Sequence, residues 1–163
     1  MALNSGNLSV HQVTDDKELY EIWPRIRDGI NAIEKRCKGI FYRPEDVYHE
    51  IKSRRATLLI ATILNRYEGF AIINETQYPD GKGMHIWTMH HAGEDNGFVE
   101  NLFAVLDQIA TLSGVIRVSF SSSRKGWAKR SLSLGYQPVA YQQFYEREIN
   151  HERRRIEPTI KHH

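Results

Sequence analysis

The stretch Met84-His85-Ile86-Trp87-Thr88-Met89-His90-His91 runs straight into the polar turn Ala92-Gly93-Glu94-Asp95-Asn96-Gly97. Its first eight residues read as a strand. The pattern beyond the turn predicts an amphipathic helix over about Asp95–Ser113, with Asp95 or Asn96 as the capping residue. A second strand is expected over Val115–Ser122 and a second helix over about Arg124–Leu134, closed by Gly135-Tyr136. Strand–helix–strand–helix at this spacing predicts parallel pairing of the two strands. In open α/β sheets a ligand sits where a strand's carboxyl end meets the next helix N-terminus, here His90 to Gly97.

Upstream, Leu8–Val13 alternates as a short strand, and Thr14 precedes the acidic run Asp15-Asp16-Lys17-Glu18 as a candidate helix cap. Leu19, Ile22, Trp23, Ile26, Ile30 and Ile33 then form one apolar face, with Pro24 expected to kink or break that helix. Pro44 suits the first position of a second helix carrying Val47, Tyr48 and Ile51. Thr57–Leu64, Gly69–Thr76 and Met84–His91, joined by short turns, predict an antiparallel meander. Downstream, Gln137–Ile149 is expected as one last bent strand. The polar, basic tail after it carries Arg153-Arg154-Arg155.

The chain has 163 residues, a net charge of +2 and one cysteine, Cys37. That length suits one domain, taken as 1–149 with a tail at 150–163. The small net charge gives no strong field toward nucleic acid or membrane. A lone cysteine excludes a disulfide framework, and no Cys/His set has zinc spacing. Neither a signal pattern nor a membrane-length apolar run is present, so a cytoplasmic setting is expected.

The order β-α-α-β-β-β-α-β-α-β, with Leu134-Gly135-Tyr136 ending the last helix, resembles the Gcn5-related N-acetyltransferase (GNAT) family from Leu8 to Ile149. Ser123-Arg124-Lys125-Gly126-Trp127 leading to Gly135-Tyr136 is similar in particular to small acetyltransferase-like proteins of tailed bacteriophages. The resemblance implies a single α/β (α+β) domain, with a central, mixed, mostly antiparallel sheet flanked by helices. It also implies an acetyl-CoA site at the turn after the fourth expected strand, where the family carries Gln/Arg-x-x-Gly-x-Gly/Ala. Here Gly93 and Gly97 stand four apart instead of two, with Glu94 and Asp95 between them. Ser131 falls at the family's general-acid tyrosine, Arg124 at its asparagine and Trp127 at a small alanine. These departures predict a retained fold with an eroded cofactor site. The expected role is then a non-catalytic interaction protein without a cofactor, a virion or assembly component in the host cytoplasm or the particle. Its partners would be phage structural proteins or a second copy of itself, with the tail contacting an acidic surface or nucleic acid. The alternative is an acetyl-CoA-dependent N-acetyltransferase acting on a small amine or a protein amine.

On that alternative, His91, Glu100, Tyr136 and Tyr141 are the catalytic candidates, histidine and carboxylate as base and tyrosine as acid. Gly93, Asn96, Gly97, Phe98, Arg124 and Lys125 are the cofactor candidates, offering backbone N–H groups and cations to a pyrophosphate. Strict alternation places His85 and His91 on one face of their strand. No metal ligand set is expected. Trp23, Trp87, Trp127 and the eight tyrosines would mark a protein interface if exposed and core if buried.

Overall fold

The computed structural model describes residues 2–37, 42–94, 96–122, 124 and 126–139. Its elements are β1 (Ala2–Ser5), β2 (Leu8–Gln12), α1 (Asp16–Arg36), α2 (Pro44–Lys52), β3 (Thr57–Ile63), β4 (Arg66–Tyr78), β5 (Gly81–His91), α3 (Phe98–Ser113), β6 (Arg117–Phe120) and α4 (Gly126–Ser133). The strands form one six-stranded sheet in chain order. Every neighbouring pair is antiparallel except β5 and β6, which are parallel across α3 as the βαβ pattern requires.

The sheet is buried on both faces. Helices α1 and α2 cover one with Leu19, Ile26, Ile30, Val47 and Ile51 against Leu58, Ile60, Phe70 and Ile72. Helix α3 covers the other with Phe98, Leu102, Phe103 and Leu106 against Val10, Leu59, Ala71 and Ile86. Ile26, Val47, Phe70 and Leu102 have no exposed surface. Side chains of this kind each stabilise the fold by about 1.5–3 kcal/mol. Trp127 brings α4 onto the α3 side, where Phe103, Phe120, Trp127 and Tyr136 meet edge to face or tilted at 5.0–5.8 Å.

Several local expectations change. An additional strand, β1, precedes β2 through a turn at Gly6 (φ +56), whose left-handed backbone suits glycine. The cap of α1 is Asp15, not Thr14, its carboxylate accepting from the Lys17 N–H at 2.9 Å. The break at Pro24 does not occur: α1 continues for 21 residues through it. A proline in a helix interior costs about 3 kcal/mol, here offset by flanking contacts such as Trp23 against Tyr48 at 4.9 Å. Helix α3 starts at Phe98 with Gly97 as its N-cap residue, so Asn96 is not the cap, and Asp95 lies outside the described residues. Pro44 does open α2. Of the last expected strand, Gln137–Val139 carry neither helix nor strand, and 140–149 and the tail lie outside the described residues.

Two bulges reset which side chains face which helices. In β4 the register passes from Ala61↔Gly69 to Thr62↔Tyr67, leaving Glu68 as the extra residue. In β5 it passes from Ile73↔Ile86 to Ile72↔Thr88, leaving Trp87 extra. One inserted residue inverts alternation beyond it. Hence Met84 and Ile86, but then Met89 and His91, lie on the α3 face, while Trp87 packs on the α1 side. His85 and His91 therefore do not share a face, which corrects the alternation reading.

Candidate functional site

The parallel pairing of β5 with β6 ends at Ile86↔Phe120, although β5 continues to His91. Beyond that point the two chains diverge, and a cleft of about 1100 Å³ opens between them. Its walls come from both layers: Ile33, Arg36, Cys37 and Tyr42 from the α1 side, and Val99, Phe103, Trp127 and Arg130 from the α3–α4 side. The split thus runs through the sheet and is reachable from either face. A smaller hollow of about 320 Å³, bounded by His91, Gly93, Glu94, Asn96, Val99 and Arg130, adjoins it at the start of α3.

The turn into α3 is built on Glu68. Its carbonyl accepts from the N–H groups of Ala92 at 2.7 Å and Gly93 at 3.1 Å. Its carboxylate is buried under Gly93, where any side chain would overlap it. Gly93 is thus occupied in packing, and its N–H is not available to a cofactor. Downstream, the first intrahelical bond of α3 runs from the Asn101 N–H to the Gly97 carbonyl at 3.0 Å. Phe98 and Val99 therefore present first-turn N–H groups with no intrahelical acceptor, at the positive end of the helix dipole.

Cations flank this end. Arg130 lines both hollows and donates to Glu100 at 2.9 Å, tying α4 to α3. Arg124 lines the cleft, and its backbone N–H donates to Ser122 Oγ at 3.2 Å. Lys125 and Tyr141 lie outside the described residues. Phe98 is buried, its ring stacked on His91 with centroids 4.1 Å apart. Glu94 is exposed at the rim of the smaller hollow, where its charge opposes an anion.

The catalytic candidates separate. Glu100 accepts from its own backbone N–H and from Arg130, which together hold its carboxyl below the usual range. It is committed to that pair and is a weak base. His91 is wedged between Phe98 and Glu68, its Nε2 lying 3.5 Å from Glu68 Oε2. Tyr136 is not part of the cleft lining; its hydroxyl is buried with no hydrogen-bond partner among the described residues, and burial, then the Asp107 charge, pushes its pKa up to about 12. Ser131 donates its hydroxyl back to the Ala128 carbonyl at 3.1 Å.

His90 stands out instead. It lines the cleft, with its ring against Gly29 and 5.9 Å from the Phe70 ring. Burial first, then the charges of Arg36 and His91, lower its pKa, so it is neutral and able to accept a proton near pH 7. His85, also lowered by burial, has Nδ1 2.9 Å from Ser119 Oγ. Tyr42 and Trp87 pack ring on ring at 5.1 Å beside them. Sequence reading did not assign Arg36, Tyr42 or Trp87 to this site, because only the Trp87 bulge and the packing of α1 bring them there. Among the described residues no group of three His, Cys, Asp or Glu has the geometry to hold a metal ion. Among them, too, no helix is long and apolar enough to cross a membrane.

Comparison with known proteins bears on the fold. A possible acetyltransferase from Clostridium difficile 630 superposes with a TM-score of 0.70 at 12% identity, over 90% of this chain and 100% of that one. The ribosomal-protein-alanine N-acetyltransferase from Brucella melitensis biovar Abortus 2308 gives 0.64 at 15% identity, over 88% and 100%. A predicted acetyltransferase from Clostridium acetobutylicum, solved with acetyl-CoA, gives 0.64 at 14% identity, over 86% and 96%. No family model and no curated protein matches the sequence. At these identities the likeness is one of fold, and that fold is the GNAT acetyltransferase fold.

Proposed function

We propose that the chain is an acetyl-CoA-dependent N-acetyltransferase working in the split between β5 and β6. The observation that carries this reading is the divergence of the two strands after Ile86 and Phe120, directly before the N-terminus of α3. The residues present fit the cofactor's anionic part in most respects. Phe98 and Val99 would offer N–H groups, Arg130 and Arg124 positive charge, with Glu94 as the opposing feature. Glycine spacing matters less than it does in the sequence, because Gly93 serves the Glu68 contact and not the ligand.

Acetyl-CoA, when bound, supplies an acetyl thioester, whose thiol of ordinary pKa (about 8.5) leaves tolerably without a proton donor. The loss of an acid at Ser131 is then a modest handicap. An acceptor amine is the harder partner, since an ammonium of pKa about 10 must lose a proton before it can attack. Neutral His90 is the group in the cleft placed to take it, directly or through water.

A second reading is favoured by Trp127, whose indole stands in the cleft wall against Phe103 and Phe120 where the family carries a small residue. On it the fold is a non-catalytic scaffold that binds other proteins, and a virion or assembly role then rests on the sequence resemblance to tailed-phage proteins. Thiol release from acetyl-CoA with a panel of amines separates the two. Amine-dependent release, lost in His90→Gln, is expected for the enzyme; release no faster than buffer across the panel overturns it.

A further inference from the structure

The cleft walls carry Arg36, Arg124 and Arg130, and no aspartate or glutamate is among the described lining residues. Arg130 is paired with Glu100 at the surface, whereas Arg36 has no carboxylate partner among the described residues. Arg36 ends α1, on the side of the sheet opposite α3 and α4. It lines the cleft together with Tyr42, Trp87 and His90, and its charge is one of those that lower the His90 pKa. A cation in the last turn of a helix is favoured by the helix dipole alone. That accounts for its place in the sequence but not for a cleft whose described charged lining residues are all arginines.

We infer that the acceptor taken from the α1 side is an amine bearing a carboxylate close to its nitrogen, of the α-amino-acid type, and not a polycation. The inference rests on the acyltransferase reading. Arg36 offers a planar donor fork that pairs with a carboxylate in bidentate fashion. The Tyr42 and Trp87 rings beside it form an apolar wall for the acceptor's side chain. The amine then faces His90. A polycationic acceptor would bring its charges against Arg36 with no acid in the described lining to receive them, a mismatch that selects against it.

The transfer balances simply. The acceptor's ammonium gives one proton to the base, and its nitrogen forms a bond to the acyl carbon as the C–S bond breaks. The second proton shed by that nitrogen passes to the departing thiolate, so the products are the N-acyl amino acid, the thiol and the protonated base.

The test compares phenylalanine, phenylalanine amide and spermidine as acceptors, by thiol release. At least a tenfold advantage in kcat/KM for the acid over the amide is expected, and Arg36→Gln should shrink that ratio to below threefold. Equal or better use of the amide or of spermidine overturns the inference, as does a ratio that Arg36→Gln leaves unchanged. A separate titration by tryptophan fluorescence, without acetyl-CoA, compares N-acetylphenylalanine with its amide. Preference for the acid that depends on Arg36 sustains the carboxylate-binding role of Arg36 even where acetyl-CoA proves not to bind, a result that counts against the acyltransferase reading alone. No preference for the acid in that titration overturns the inference directly.

Discussion

The carboxylate of Glu68 lies directly beneath the α-carbon of Gly93, and the Glu68 carbonyl accepts from the N–H groups of Ala92 and Gly93. A bulge residue in β4 thereby fixes the turn that leads from β5 into α3. Gly93→Ala puts a methyl group into the buried carboxylate. A loss of about 2–4 kcal/mol is expected, read as a lower urea midpoint with the slope retained. A variant as stable as the parent would show that Glu68 can move aside and does not hold the turn.

Gly29 tests the packing behind His90. An added methyl group would meet the Phe70 ring at 2.5 Å and the His90 ring at 2.9 Å. Alanine is the better helix former by about 1 kcal/mol, yet overpacking a core of this density costs about 1–3 kcal/mol. Gly29→Ala should therefore destabilise by about 1 kcal/mol and also lower any His90-dependent activity. Thermal melts and thiol-release assays on the same preparation check both effects.

The histidines set the acid side of the stability profile. His85 and His90 both have pKa values lowered from 6.5 in the folded chain, chiefly by burial. The unfolded chain then binds more protons than the folded one between those lowered values and 6.5. The stabilisation is complete above pH 6.5 and is lost as pH falls through 6.5 toward the folded values. The melting temperature should decline from pH 7 to pH 5, and His85→Asn should flatten that decline. Asp46, Glu50, Asp80 and Glu100, whose carboxyls are held low by their arginine or backbone partners, act only at more acidic pH.

Arg130 separates stability from binding. Its pair with Glu100 is about half exposed, at 40% and 55% side-chain accessibility. Such a pair contributes at most about 1 kcal/mol after screening. Arg130→Gln should shift the melt little while weakening acetyl-CoA about tenfold, since the same guanidinium borders both hollows at the α3 N-terminus. Equal affinity for parent and variant would remove Arg130 from the anion site.

The meander of β3, β4 and β5, the proline opening of α2 and the parallel β5–β6 pair were all legible, because each follows from periodicity or turn chemistry within a few residues. The β1 strand also had a local signal, Ser5-Gly6-Asn7, which sequence reading passed over. The bulges at Glu68 and Trp87 had none. Each is one residue too many against a distant partner strand, and each decides which face its neighbours take. That is why His85 and His91 part company, and why Arg36, far from β5 in sequence, borders the same cleft as His90. The expected cap at Asn96 gave way to Gly97 because α3 begins at Phe98, its first apolar residue, and not at the expected Asp95.

The most direct measurement is acetyl-CoA binding by isothermal titration calorimetry at modest salt, with desulfo-CoA as a second ligand. The account predicts a dissociation constant near 10 μM, about −6.8 kcal/mol, for a complex that Arg130→Gln weakens. No heat of binding up to millimolar acetyl-CoA would contradict it and leave the split between β5 and β6 as part of a scaffold.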